Sequence, residues 1–195
     1  MKKQARSKTS IIAPARIGTQ RRTPHREELR RGAAKGELLH LDRGIYIPAD
    51  YKPSKHLALA VVALKSPHAV LCLISALVYH RLTDQSPGDL YIALPQNTHS
   101  PRLKNVPIRV HRMTGAALTS GVEVHEIEGV KVKIFSPAKT VADCFKFRNK
   151  IGLDVALDAL RNCWWQKRAT MDELWHFAEI CRVANVMRPY LESLV

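Results

Sequence analysis

The sequence predicts an α+β chain, with a small basic head ahead of an α+β body that has a mainly antiparallel sheet and C-terminal helices. Three observations predict it. A basic helical segment runs at once into a tight hairpin over Arg26–Asp50. Strand-like runs then occupy the middle of the chain, and its final third is helical.

Residues 1–22 are polar, basic and interrupted by Pro14 and Gly18, a composition that predicts a disordered tail. Thr23-Pro24 supplies a helix start, with threonine as N-cap and proline at the first helical position. Leu29 and Ala33 share one face of that helix at i, i+4 spacing, while Arg26, Arg30 and Lys35 point elsewhere. Gly36 stands where a helix ends on a left-handed residue. Leu38–Leu41 and Ile45–Ile47 read as the strands of a ribbon turned by Asp42-Arg43-Gly44, and Pro48 stops the second.

Ser54 caps a largely apolar helix from Lys55 to Leu64, and Ser66-Pro67 restarts a second that carries VLCLISALVYHRL to Leu82. Gly88-Asp89 leads into the strand LYIALP, followed by the polar loop QNTHSPRLKN and a strand over Val106–Met113. Val122–Ile127 and Val130–Phe135 flank Glu128-Gly129 as a hairpin, with Lys131 and Lys133 on its wet face. Ser136-Pro137 starts a helix over Ala138–Arg148, and Asp154 starts another to Trp165. Thr170 and Glu173 form a capping box before Leu174–Val183, and a short helix around Pro189–Leu194 closes the chain. The expected organisation is a tail at 1–22, a winged-helix segment at 23–50 and an α+β domain at 51–195.

Charge points to the partner of the head. The net charge is +14, and residues 1–35 hold eleven basic and two acidic residues, so +9 of it lies in that stretch. Such asymmetry fits a polyanion. A membrane surface fits less well, because residues 1–22 lack the aromatic or leucine face that an interfacial helix inserts. The early residues also lack an apolar core of signal-peptide type, and the runs Leu57–Leu64 and Ala69–Tyr79 fall short of the ~20 residues that span a bilayer. Cys72, Cys144, Cys163 and Cys181 are scattered without a Cys-x-x-Cys pair and read as buried reduced thiols of a cytoplasmic protein.

A basic helix followed by a ribbon with arginine at its tip is the layout of a winged-helix reader of double-stranded DNA. Arg26, Arg30, Arg31 and Lys35 are the helix contacts to phosphates or base edges, Arg43 is the tip residue for a narrow minor groove, and Arg21 and Arg22 add phosphate neutralisation. The alternative for Arg30 and Arg31 is a solvated helix face.

Other constellations are weighed against plain structural roles. His80 and Asp84 have i, i+4 spacing but no third ligand, so His80 is expected to tie a helix end to the next segment. A metal-dependent nuclease would need an aspartate such as Asp89 and then Glu-x-Lys on a strand. Glu128 and Lys131 are instead separated by two residues, which places them on opposite faces. Ser75 lacks a nucleophile elbow and reads as a packing residue. Trp164 and Trp165, with Lys167 and Arg168, are either a base-stacking platform or a pair split between core and surface. No catalytic residue, metal site or cofactor is expected.

Three blocks resemble the AbiEi-type antitoxin family: GELLHLDRGIYIPAD at Gly36–Asp50, LISALVYHRLTDQSPGDLYIALP at Leu73–Pro95, and VKVKIFSPAKTVADCFKFRNKIGLDVALDAL at Val130–Leu160. The resemblance covers residues 36–160 and implies the antitoxin of a type IV, abortive-infection toxin–antitoxin pair. Its N-terminal winged helix-turn-helix would repress its own operon, and its C-terminal domain would counteract a nucleotidyltransferase-like toxin without enzymatic turnover. Upstream of Gly36 the large aliphatic residues of 1–22 are only Ile11, Ile12 and Ile17, interrupted by Pro14, so the expected head is either abbreviated or begins from a start codon further upstream. The rival readings are a winged-helix regulator without a toxin partner and the nuclease.

Overall fold

The computed structural model describes residues 26–85, 88–104 and 106–194; the expected tail at 1–22 and the Thr23-Pro24 helix start lie outside them. The architecture is α+β, and the chain divides into two compact units. The first runs through Lys65 and includes Glu126–Val132; the second comprises Ser66–His125 and the chain from Lys133 onward.

In the first unit, helix α1 (Arg26–Ala34) buries Leu29 and Gly32. A Cβ at position 32 would meet Leu38 Cδ1 at 2.9 Å, so glycine lets the helix approach the following strand closely. Gly36 ends the helix at φ 75°. Its N–H donates to Ala33 O at 3.1 Å, and the Glu37 N–H donates to Gly32 O at 2.9 Å. This double closure satisfies the last carbonyls and turns the chain directly into the ribbon.

The ribbon pairs β1 (Leu38–Asp42) antiparallel with β2 (Ile45–Pro48), and Asp42 faces Ile45 across it. Arg43 and Gly44 are therefore the two turn residues, and Gly44 takes φ 76°. The register shifts between His40 and Asp42, so Leu41 is bulged and strict alternation breaks there. The Asp42 carboxylate accepts from the Arg43 N–H at 2.6 Å and pairs with Lys65 Nζ at 2.9 Å. Lys65 ends helix α2 (Leu57–Lys65), so the compact unit runs on past Asp50. Glu128 accepts from the Tyr51 hydroxyl and from the Ser54 N–H, the latter at 2.8 Å.

A five-stranded sheet is ordered β5-β4-β3-β7-β6: β3 (Val70–Leu71), β4 (Leu90–Leu94), β5 (Ile108–Arg112), β6 (Val122–Ile127) and β7 (Val130–Phe135), all in the second unit except the Glu126–Val132 stretch of β6 and β7. The expected mainly antiparallel sheet is mixed. β3 runs antiparallel to β4 but parallel to β7, and β4 runs parallel to β5. The cause lies in two connections. The polar loop after β4 crosses back rather than forming a hairpin, and Val70–Leu71, expected within a helix, form a strand between β4 and β7. The apolar run Val70-Leu71-Cys72 is bistable in pattern, and tertiary pairing decides for strand.

Leu73, at φ 47°, then turns the chain sharply into α3 (Leu73–His80). The unforeseen turn α4 (Ala116–Thr119) precedes β6. Helix α5 (Pro137–Lys146) is buried over nearly its whole length and packs against α3, α7 (Leu153–Trp165) and α8 (Met171–Ile180). Its start is as expected, with Ser136 Oγ accepting from the Lys139 N–H and proline in the first turn. The capping box at Thr170 and Glu173 is complete. The short α6 (Arg148–Ile151) links α5 to α7, and α9 (Ala184–Glu192) begins earlier than expected, with Pro189 inside it. The core of this unit gathers around α5, with Phe135, Phe145, Leu73, Leu77, Leu160 and Leu174 fully buried.

Candidate nucleic-acid interface

The sequence forms α1 with few apolar residues, so its inner face is narrow. Leu29 and Gly32 define it, and at about 100° per residue Arg30 and Arg31 fall on either side of the opposite, outward direction. Arg26 lies at the margin of that face, and Lys35 follows in the closing turn; all four are exposed. Glu27 shares the outward face, and it and Glu28 sit in the first turn, where carboxylates favour the positive end of the helix dipole. Arg43 is exposed at the ribbon tip, its backbone held by Asp42. One unit thus carries Arg26, Arg30, Arg31, Lys35 and Arg43, while Arg21 and Arg22 lie outside the described residues.

His80 is buried, and its Nε2 donates to Phe135 O at 2.8 Å. Burial lowers its pKa from the ordinary 6.5, opposed by that hydrogen bond, which suits a neutral ring in a structural role. The groups invoked for a nuclease are otherwise engaged. Asp89 pairs with the Arg109 guanidinium, and Glu128 accepts from Tyr51 and Ser54. Burial alone would raise Glu128, but the hydrogen bonds from Ser54 and Tyr51 outweigh it and hold its carboxyl below the usual value. Ser75 Oγ accepts from the Tyr91 N–H at 2.8 Å, bracing α3 on β4. The four cysteines are buried and free, and burial pushes each thiol up. Among the described residues no group of three or more metal-ligating side chains converges, and no helix is long and apolar enough to cross a membrane.

The tryptophans divide: Trp164 packs against the core, and Trp165 is 71% exposed. Beside them the second unit has a polar cleft lined by Tyr79, His80, Arg81, Glu123, His125 and Arg168. Sequence reading did not assemble this cleft. Its residues come from the end of α3, from β6 and from the loop after α7, and no periodicity links them.

No protein-family model matches the chain, and no curated protein matches it. Among solved structures it is similar to the RV2827C protein from Mycobacterium tuberculosis, with a TM-score of 0.54 and 15% sequence identity over 78% of this chain and 59% of that one. The chain therefore spans less than two thirds of that protein's length. At this identity the likeness is one of fold.

Proposed function

We propose that this chain is a non-enzymatic, cytoplasmic DNA-binding transcriptional regulator of AbiEi antitoxin type. Its first unit grips double-stranded operator DNA, and its second works against a nucleotidyltransferase-like toxin. The observation that carries the DNA reading is the exposed set Arg26, Arg30, Arg31, Lys35 and Arg43 on a helix and ribbon joined without slack at Gly36. Arginine suits both tasks, since its fork binds phosphate or guanine bidentately. The toxin half of the reading rests on the three sequence blocks that resemble the family.

A gel-shift series at two salt concentrations tests the first half. Arg30→Ala and Arg43→Ala are each expected to weaken binding, and each lost phosphate contact should flatten the log–log salt slope by about 0.9. Parent-like binding by both variants overturns the proposed surface. Co-expression with an adjacent nucleotidyltransferase-like gene tests the second half. Restored growth supports the antitoxin role, whereas unrelieved toxicity leaves a regulator without a toxin partner.

A further inference from the structure

Two clefts of the second unit meet at Arg168. One, of about 620 Å³, is walled by Trp164, Trp165, Lys167, Thr170, Met171 and Glu173, whose carboxylate accepts from the Thr170 N–H and hydroxyl. The other, of about 430 Å³, is the polar cleft of Tyr79, Arg81, Glu123 and His125. Arg168 lines both. Arg168 therefore belongs both to the cleft that carries the exposed Trp165 indole and to the cleft that carries Arg81.

The two arginines are not consumed by the fold. Among the described residues neither Arg81 nor Arg168 has a carboxylate partner, while Arg109 and Arg161 each do. The acid in the polar cleft, Glu123, is engaged by His125 Nε2 at 3.0 Å. Two arginines against one glutamate leave the cleft positive. Burial lowers the pKa of His80 in that wall, opposed by its hydrogen bond to Phe135 O and by Glu123.

The surface is also held in place. Gln166 Nε2 donates to Arg81 O at 3.1 Å, and Asn162 Nδ2 donates to Leu82 O at 3.0 Å, so the end of α7 is clamped to the end of α3. Arg81 and Lys167 both take left-handed backbone, at φ 59° and 52°, where glycine would be unstrained. Basic side chains occupy both positions all the same.

An exposed aromatic ring and two arginines lining clefts that share Arg168 suit a ligand with a planar base and a phosphate. We propose that this double cleft binds a nucleoside phosphate, with the base stacked on Trp165 and the phosphate held by Arg81 and Arg168. The ligand is either a free nucleotide or the 5′-phosphorylated terminal nucleotide of a single strand, which present the same chemistry. The site lies in the second unit and does not rest on the operator-binding reading.

The test is a titration of the full chain followed by tryptophan emission, corrected for nucleotide absorption. All three tryptophans, Trp164, Trp165 and Trp175, lie in the second unit, so the signal reports on it. A nucleoside monophosphate is expected to give saturable quenching, with the unphosphorylated nucleoside about tenfold weaker or worse. Arg81→Gln and Arg168→Gln should each weaken the nucleotide by about tenfold, and Trp165→Ala by about fivefold or more in calorimetry. Arg161→Gln, and the pair Arg30→Ala with Arg43→Ala, should leave affinity unchanged. In the Arg30→Ala, Arg43→Ala chain, a 5′-phosphorylated oligonucleotide that binds far more tightly than both the mononucleotide and the same oligonucleotide without its 5′-phosphate identifies a strand end as the ligand; otherwise the free nucleotide is the ligand. The proposal is overturned if no nucleotide or phosphorylated oligonucleotide gives a saturable signal into the millimolar range. It is equally overturned if folded Arg81→Gln and Arg168→Gln variants bind like the parent.

Discussion

Lys139→Met isolates the energetics of the most buried ion pair among the described residues. Lys139 and Asp143 lie one turn apart on α5 with fully buried side chains, and Nζ is 2.5 Å from Oδ2. The ammonium also sits 4.1 Å above the Phe135 ring, and the other carboxylate oxygen accepts from Cys181 Sγ at 3.3 Å. Removing the lysine charge leaves Asp143 buried with a weak thiol donor as its remaining partner. Burial already raises the Asp143 pKa, against the pull of Lys139. Breaking such a pair from one side costs about 3–5 kcal/mol, roughly a fifth or more of a typical domain stability of about 5–15 kcal/mol. The double replacement Lys139→Met, Asp143→Leu removes both charges and is expected to recover most of that loss. Urea unfolding followed by tryptophan emission, which reports on the unit that holds the pair, measures each variant, and the cycle yields the coupling. The reasoning fails if Lys139→Met costs under about 1 kcal/mol, or if the double variant loses the sum of the single ones.

Glycine replacements separate backbone strain from crowding. Gly36→Ala meets nothing within 4 Å, so it should cost only the left-handed penalty of about 1–2 kcal/mol, seen as faster amide exchange in α1 and β1. Gly121→Ala adds contacts at 2.8 Å to Lys139 Cβ and the Phe177 ring, and should cost about 1–3 kcal/mol more by urea unfolding; equal losses at the two sites would refute the distinction. Thr170→Ala removes the hydroxyl that accepts from the Glu173 N–H but keeps the main-chain N–H that donates to the Glu173 carboxylate, and should destabilise the second unit by about 1 kcal/mol, measured in the same way. Because the Glu128 carboxyl is depressed in the fold, its contribution is present above its ordinary 4.5 and lost as pH falls through the lower folded value. The Ser54 amide resonance should report that titration with a midpoint below 4.5, and a midpoint at or above it contradicts the assignment.

Elements marked by local chemistry were legible in the sequence. Gly36 after a basic helix, Ser136-Pro137 and the Thr170/Glu173 box each announce a boundary through one residue's own hydrogen bonding, and each stands where expected. Sheet topology was not legible, because it depends on partners far apart in sequence. Val70 and Leu71 become strand only by pairing with Ile92, Ala93, Lys133 and Ile134, and nothing in a run of apolar residues encodes that. The same limit hid the cleft shared by Arg81, His125 and Arg168. The exposed basic residues of the head were readable one by one, since a glycine-ended helix and a two-residue turn fix which side chains face water.

The carbonyl of Phe135 accepts from both His80 Nε2, at 2.8 Å, and Thr140 Oγ1, at 3.2 Å. A main-chain acceptor cannot be deleted by substitution, and here it has two donors from different helices. Loss of either side chain leaves the oxygen satisfied by the other, so each position alone has latitude to vary. Loss of both strands a buried acceptor at the end of β7, a penalty neither change reveals by itself. Variation at positions 80 and 140 should therefore be negatively epistatic, each tolerated only while its counterpart keeps a donor.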